Sequence, residues 1–477
     1  MADADTDTES THVVTVFLRN DGEVLLLRRS GAVGTYSGRW GAVSGYAEGD
    51  PDAAARWEIN EETGLREAVT LVRAGDPFTF ADDDVGTRWT VHPYLFDCDS
   101  REVRTNREST ETAWVAATEI LRRETVPRLW TSYDRVRPTV ESATGDREHG
   151  SAYVSVRALE VLRDEAGVLA ARAHEAGSGG ERGDTGAGGG ERGDTGAGGG
   201  ERGDTGTGGG ERGDTGARGG GDERAEADWK RLAETAERLR RARPSMTALE
   251  NRVNRAMSRA DRTAASVESA ARAVVAEAVR ADRDAATRAS ALVTNERVLT
   301  LSRSGTVAAV LADAPSSVVV AESRPAREGV GVAERLAEGG VDVTLVTDAA
   351  VAHVLSEGEV DAVVVGADTV LPDGSVVNKT GTRGAAVAAA NEGVPTYAVA
   401  AADKVAAASG VELESGPTGE VYDGDADLAV ENPTFDLTPA AFVTGVVTER
   451  GVLDASDVGD VAAEFRERAD WRGDDAA

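Results

Sequence analysis

Apolar and polar residues alternate from Val13 to Leu18 and again from Val24 to Arg28, on either side of Asn20-Asp21-Gly22. Period-two alternation flanking Asp-Gly predicts a β-hairpin. Asp50-Pro51 supplies an N-cap and a first helical residue, and Gly64 a C-terminal stop, so a helix is expected over 51–63. Strand-like runs follow at 68–73 and 88–96, then a helical stretch over 117–123, giving an α+β domain over 1–145. Helical spacing occupies 151–175 and resumes from 225 to 293. Beyond Glu296 the period changes to short β-branched runs at 297–302, 317–321, 341–346, 360–365 and 396–400, separated by helices. That alternation is the signature of a doubly wound parallel sheet, whose ligands sit at the carboxyl ends of the strands.

One stretch has no periodic apolar residues. Glu-Arg-Gly-Asp-Thr-Gly begins at 181, 191, 201 and 211 with Gly-rich spacers, and such a segment offers no apolar surface against its ordering entropy. The expected organisation is therefore α/β overall. A first domain fills 1–145, and a second fills 146–477, with a helical part (146–176 and 225–293) and a Rossmann-like part (294–477), interrupted by a linker over 177–224. The length of 477 residues, at about 150 per domain, agrees with two large units plus something extended.

Charge and composition narrow the function. The formal charge of −32 sets up a field that repels nucleic acid and anionic lipid. All but three of the 52 basic residues are arginine, the three being Lys230, Lys379 and Lys404, and this arginine-biased acidic composition suggests a halophilic, salt-adapted protein. The acidic N-terminus has no signal-peptide pattern, and no apolar run reaches the ~18 residues of a membrane span. A cytoplasmic location is expected. A single cysteine, Cys98, excludes an internal disulfide and a multi-cysteine metal site.

Within the 51–63 helix, Glu58, Glu61 and Glu62 fall at i, i+3 and i+4, which puts three carboxylates on one face. Hard oxygen ligands suit Mg²⁺ or Mn²⁺, and a solvated acidic face is the alternative on spacing alone. Gly45-Tyr-Ala-Glu-Gly-Asp50 followed by Glu58-Ile-Asn-Glu-Glu-Thr-Gly-Leu65 resembles the Nudix box, and the resemblance extends through Arg28-Arg29 and Gly38-Arg39-Trp40. It implies a Nudix sandwich fold and hydrolysis of a nucleoside diphosphate derivative, with Glu58, Glu61 and Glu62 as metal ligands and catalytic residues. Two positions depart from the pattern. The loop after Gly45 is short, and Trp57 stands where an arginine is usual, with Arg56 one place earlier. Trp40 and Trp89 are candidates either for stacking on a base or for the core.

The second constellation begins with the strand ending in Gly366-Ala367-Asp368 and continues with Asn378-Lys-Thr-Gly-Thr-Arg-Gly384. Thr300 to Thr306 and Glu322-Ser-Arg-Pro325 are further polar turns at strand ends, each able to offer N–H groups, hydroxyls or a cation to a phosphate. With Arg243-Pro-Ser-Met246, Ala402-Asp-Lys404 and Asn432-Pro-Thr-Phe-Asp-Leu-Thr-Pro439, these turns resemble one particular family. It includes the α, β and δ subunits of translation initiation factor 2B, ribose-1,5-bisphosphate isomerase and methylthioribose-1-phosphate isomerase.

The resemblance implies a sugar-phosphate or nucleotide pocket with Arg324, Asn378, Lys379, Gly381 and Thr382 as ligand-binding residues, and homo-oligomers formed through this domain. Family isomerases use an aspartate, matching Asp368, and a cysteine, whose position falls at Ser302. A serine hydroxyl is a far poorer proton donor than a thiol near neutral pH, which favours ligand binding without turnover over isomerisation. Three readings of the second half follow: a ligand-binding domain, an isomerase using Asp368 and Ser302, and a translation-factor-like regulatory module.

Overall fold

The computed structural model describes residues 10–146, 149–179, 219–410 and 413–472. The four Glu-Arg-Gly-Asp-Thr-Gly repeats lie outside the described residues.

The expected hairpin is present as β1 (Thr11–Asn20) and β2 (Glu23–Arg29), with Asp21 and Gly22 both at positive φ, the geometry that matches strand twist in a two-residue turn. β3 (Trp40–Gly41), β4 (Val43–Tyr46), α1 (Pro51–Thr63), β5 (Val69–Ala74), β6 (Phe78–Asp82), β7 (Thr87–Cys98) and β8 (Ser109–Val115) complete the domain. The sheet path is β3-β2-β1-β7-β5, and β1 pairs in parallel with β7 and antiparallel with β4. Helix α1 buries Ala55 and Ile59 against the apolar face made by Val14, Val16, Leu25 and Phe96. The helical stretch expected over 117–123 is instead a 3-10 turn over Ala117–Leu121. It ends where Arg122 turns out to donate to Glu268 at 2.8 Å. Two short helices, α2 (Leu129–Asp134) and α3 (Val140–Gly145), lead out of the domain.

The helical part consists of α4 (Ser151–Gly179), α5 (Gly219–Ala242), α6 (Thr247–Arg259) and α7 (Ala264–Leu292). α4 runs to Gly179 and α5 starts at Gly219, so helix reaches into both ends of the 177–224 stretch expected as linker, the rest of which lies outside the described residues. Glu223 to Glu226 are good helix formers and extend the amphipathic pattern backwards. These helices share one core around Leu159, Leu162, Leu232, Leu249 and Val274.

The last part contains β9 (Arg297–Leu301), α8 (Gly305–Leu311), β10 (Ser317–Ala321), α9 (Glu328–Glu338), β11 (Val343–Val346), α10 (Val351–Ser356) and β12 (Ala362–Gly366). After β13 (Thr369–Val370) and β14 (Val376–Lys379) come α11 (Thr382–Glu392), β15 (Thr396–Val399), β16 (Phe435–Thr438), β17 (Gly445–Thr448), β18 (Gly451–Leu453) and α12 (Ala455–Arg468). The main sheet runs β11-β10-β9-β12-β15-β17-β18, parallel except for the last pair. Chain order reverses between β9 and β12, so the crevice of this sheet opens between the ends of those two strands. β13, β14 and β16 form a small antiparallel sheet beside it.

The two halves interlock. The hairpin turn of β1 and β2 rests on α7 so closely that a Cβ on Gly22 would overlap Val275 Cγ1. Arg19 is buried at this boundary and donates to Asp97 at 2.7 Å, to Glu160 of α4 at 3.4 Å and to the Tyr153 hydroxyl at 2.8 Å. Tyr133 O–H reaches Asp164 at 3.2 Å, and Arg272 of α7 donates to Glu119 at 2.9 Å. Isolated buried charges are costly, so these cross-boundary pairs hold the two halves in one arrangement.

Candidate functional site

The cap residues of α1 are as the sequence predicts. Asp50 accepts from the Asp52 N–H, and Gly64, left-handed at φ 70°, donates to the Asn60 carbonyl. In the last two turns of the helix, Glu58 lies against Gly45 of β4 and Glu62 reaches the Ser44 backbone. A Cβ on Gly45 would overlap the Glu58 carboxylate, so only glycine lets Glu58 lie against the strand. Burial pushes the Glu58 carboxyl up to about 7, with the charges of Glu61 and Glu108 adding to the effect. Burial, then the charge of Glu58, pushes Glu62 up to about 8 against a hydrogen bond from the Ser44 backbone and the charge of Arg29.

Glu108, just before β8, is a fourth carboxylate facing this group, and no local motif marks it in the sequence. Trp57 is exposed and donates from Nε1 to Glu61 Oε2 at 3.0 Å. The residue in the usual arginine position thus holds a glutamate, while Arg56 turns away to stack over Phe96. Trp89 is buried and donates to Tyr36, and Trp40 lies under the Arg123 guanidinium, so both serve packing.

The donor set of Glu58, Glu61 and Glu62 fits a hard divalent cation by chemistry, and such an ion would favour ionisation of the two carboxyls that burial holds up. Among the described residues, no group of three or more His, Cys, Asp or Glu side chains is already gathered around one point a metal ion could occupy. Side-chain rotation of the glutamates is therefore part of any binding event.

At the β9/β12 crevice, Ser302 follows β9 and Asp368 lies two residues after β12. Ser302 and Ser323 both have positive φ, 63° and 61°, a strained conformation for residues with a Cβ. They are held by the Ser302 N–H donating to Ser323 Oγ at 2.7 Å. The Ser302 hydroxyl donates to Glu328 Oε2 at 2.7 Å, and Lys379 Nζ donates to the other oxygen of Glu328 at 3.2 Å. Glu328 opens α9 and joins Ser302 to Lys379, a role nothing in its own local sequence signals. Burial pushes the Asp368 carboxyl up, while the charges of Lys404 and Lys379 oppose that shift.

The remaining sequence-predicted binders divide into two groups. Asn378 Nδ2 donates to Thr382 Oγ1 at 3.0 Å, and that hydroxyl donates to the Lys379 carbonyl at 2.7 Å, so these three form one buried turn. The N–H groups of Gly381 and Arg383 at the start of α11 both donate to Asp436, at 2.8 and 3.2 Å. Asp436 thus occupies donors that the sequence offers to a phosphate. Arg324 is exposed, and its guanidinium donates to the Pro325 carbonyl at 3.3 Å rather than to the other residues of the set.

Comparison with known proteins agrees with both constellations. A NUDIX domain model matches residues 9–136, and the model of the Initiation factor 2 subunit family matches 219–455. A methylthioribose-1-phosphate isomerase of Gemmatimonas aurantiaca is 35% identical over 247 residues, covering 47% of this chain and 72% of that protein. The chain belongs to the initiation factor 2 subunit family and carries an N-terminal NUDIX domain.

Another relative of this family member is a ribose 1,5-bisphosphate isomerase of Haloferax volcanii, 42% identical over 142 residues, 28% of this chain. The match spans 43% of that relative's length. Among solved structures, the translation initiation factor eIF-2B of Pyrococcus horikoshii is 21% identical with a TM-score of 0.47, covering 66% of this chain and 94% of the other. No helix among the described residues is long and apolar enough to cross a membrane.

Proposed function

We propose that the NUDIX half hydrolyses the diphosphate bond of a nucleoside diphosphate derivative, and that the second half binds a sugar phosphate or nucleotide without converting it. The first part rests on one observation: Glu58 and Glu62 lie at the β4–α1 junction, where burial first, and then neighbouring carboxylate charge, raises both carboxyls into the neutral range. Mg²⁺ or Mn²⁺ held by Glu58, Glu61 and Glu62 would neutralise diphosphate charge and lower the pKa of water. Glu62, ionised beside the bound ion, would take the proton as water attacks phosphorus. The water oxygen forms the new P–O bond, the bridging P–O bond breaks, and two phosphate esters leave.

The second part rests on Ser302. Its hydroxyl is tied to Glu328, an anion that disfavours any further loss of a proton, whereas Lys379 and the strand-end turns suit phosphate binding. Isomerase activity is the competing reading, and one feature favours it: Asp368 is held up by burial beside two lysines, as a proton carrier needs to be. Assembly through the second half and a salt-rich cytoplasm as the working environment belong to the same proposal.

The test is incubation of the full chain with Mg²⁺ or Mn²⁺ and a panel of nucleoside diphosphate derivatives, with release of phosphate esters as readout. Glu61→Gln with Glu62→Gln should reduce turnover by about 10²–10⁴-fold. Absence of turnover together with absence of metal binding overturns the hydrolase reading.

A further inference from the structure

Where the β1–β2 turn meets the helices, a cavity of about 210 Å³ remains between the two halves. The face of α7 that lines it carries Arg272, Val275, Val279, Arg280 and Arg283 at helical spacing. Arg163 of α4 and Arg101 of the NUDIX half close the other sides. Five guanidinium groups thus surround one small space in a chain of formal charge −32.

Their own partners do not use them up. Asp21 pairs with Arg283 and Glu23 with Arg101, and these are the only carboxylates among the lining residues. Arg272 spends one nitrogen on Glu119. Arg280 forms no ion pair among the described residues. Arg163 is 1% exposed; its Nε donates to Asp164 at 2.8 Å and its Nη1 to the Gly22 carbonyl, but its Nη2 is buried with no hydrogen-bond partner among the described residues. A buried guanidinium nitrogen without an acceptor is costly, and an acceptor supplied from outside the chain would satisfy it.

We propose that this cavity binds a diphosphate group, either free inorganic diphosphate or the diphosphate of a nucleotide, independently of the acidic cluster and of the β9/β12 crevice. The volume corresponds to about seven water molecules, which admits a compact polyanion but not a large apolar ligand. Planar guanidinium forks match phosphate oxygens in pairs, and this geometry distinguishes the site from a general attraction for small anions. Because α4, α7 and the hairpin each contribute lining residues, the bound anion bridges the two halves.

The test uses the full chain in chelator and molar KCl, titrated calorimetrically with inorganic diphosphate, with ADP and with sulfate. Saturable binding of diphosphate or ADP that persists in Glu61→Gln/Glu62→Gln and in Lys379→Gln is expected, since those changes lie outside the cavity. Arg280→Gln with Arg283→Gln should weaken it tenfold or more. Both side chains are exposed, and folding is checked by thermal denaturation. Should the double variant fail to fold, Arg280→Gln alone should weaken binding threefold or more. Tighter binding of ADP than of diphosphate assigns the site to nucleotides, and the reverse assigns it to the free anion. Absence of saturable binding, sulfate binding as tight as diphosphate, or unchanged affinity in the arginine variants overturns the proposal.

Discussion

The Ser302 hydroxyl donates to Glu328 at 2.7 Å, and the same carboxylate receives Lys379 at 3.2 Å. A residue expected to carry a proton in a sugar-phosphate isomerase is thus locked to an acid whose other oxygen holds the pocket's cation. Ser302→Cys should therefore create or raise conversion of a ribose 1-phosphate to its ketose, and Asp368→Asn in that background should abolish the gain. NMR of the sugar carbons reads both outcomes. A wild type as active as Ser302→Cys would assign the chemistry to a group other than the residue-302 side chain.

Gly45 makes a sharper test of the hydrolase site than removal of a glutamate. Gly45→Ala should displace Glu58, because the new Cβ would overlap its carboxylate. Mn²⁺ affinity and turnover should fall tenfold or more while the thermal midpoint changes little, since the glutamate can swing outward into solvent. Equilibrium dialysis with Mn²⁺ and a melting curve separate the two effects.

The acidic cluster also sets a pH dependence. Glu58 and Glu62 titrate near 7 and 8 in the folded chain, against an ordinary value of 4.5 in the unfolded one. The folded state therefore holds extra protons between those limits. Without metal, its stability contribution from these groups is full below about pH 4.5 and is lost as pH rises through 7 and 8. Stabilisation by Mg²⁺ should grow over the same interval, because the ion must displace those protons. Melting temperatures measured with and without Mg²⁺ from pH 5.5 to about 8.5 should diverge steadily.

How much of this was legible in the sequence depends on where each signal is carried. The hairpin, α1 with both caps, and the five core strands β9, β10, β11, β12 and β15 are written in local periodicity and cap residues, and the structure has them within a few residues. The short strands β3, β4, β13 and β14 are too brief to show a period, and β8 mixes Thr and Glu on an exposed edge. Glu108, Glu328 and Asp436 were not visible as site residues because each reaches its site from a distant element. Their significance lies in pairings across 26 to 55 residues, such as Ser302 with Glu328 and Asp436 with Gly381. Arg324 shows the converse, a motif residue whose guanidinium is spent locally.

The boundary between the halves should behave as part of one core. Arg19→Met removes the nearest cation of Asp97 and leaves Arg157, 3.2 Å from Glu160, as the one cation shared by Glu160 and Asp97 among the described ion pairs; it should cost about 3 kcal/mol in chemical denaturation. Adding Glu160→Gln and Asp97→Asn should return part of that loss, since the uncompensated charges then disappear. Loss of the NUDIX signal well before the rest of the chain unfolds would show that the network carries little of the stability.

Gly22 has a consequence for how such a chain can evolve. The turn that seats on Val275 accepts no side chain, so a hydrolase domain from another protein, joined at the same point but with any other residue there, would not dock on α7. Two modules fused by a simple joining of genes remain exchangeable. These two are exchangeable only together with the helix face that receives the turn, so substitutions in the hairpin and in α7 should be inherited as a pair.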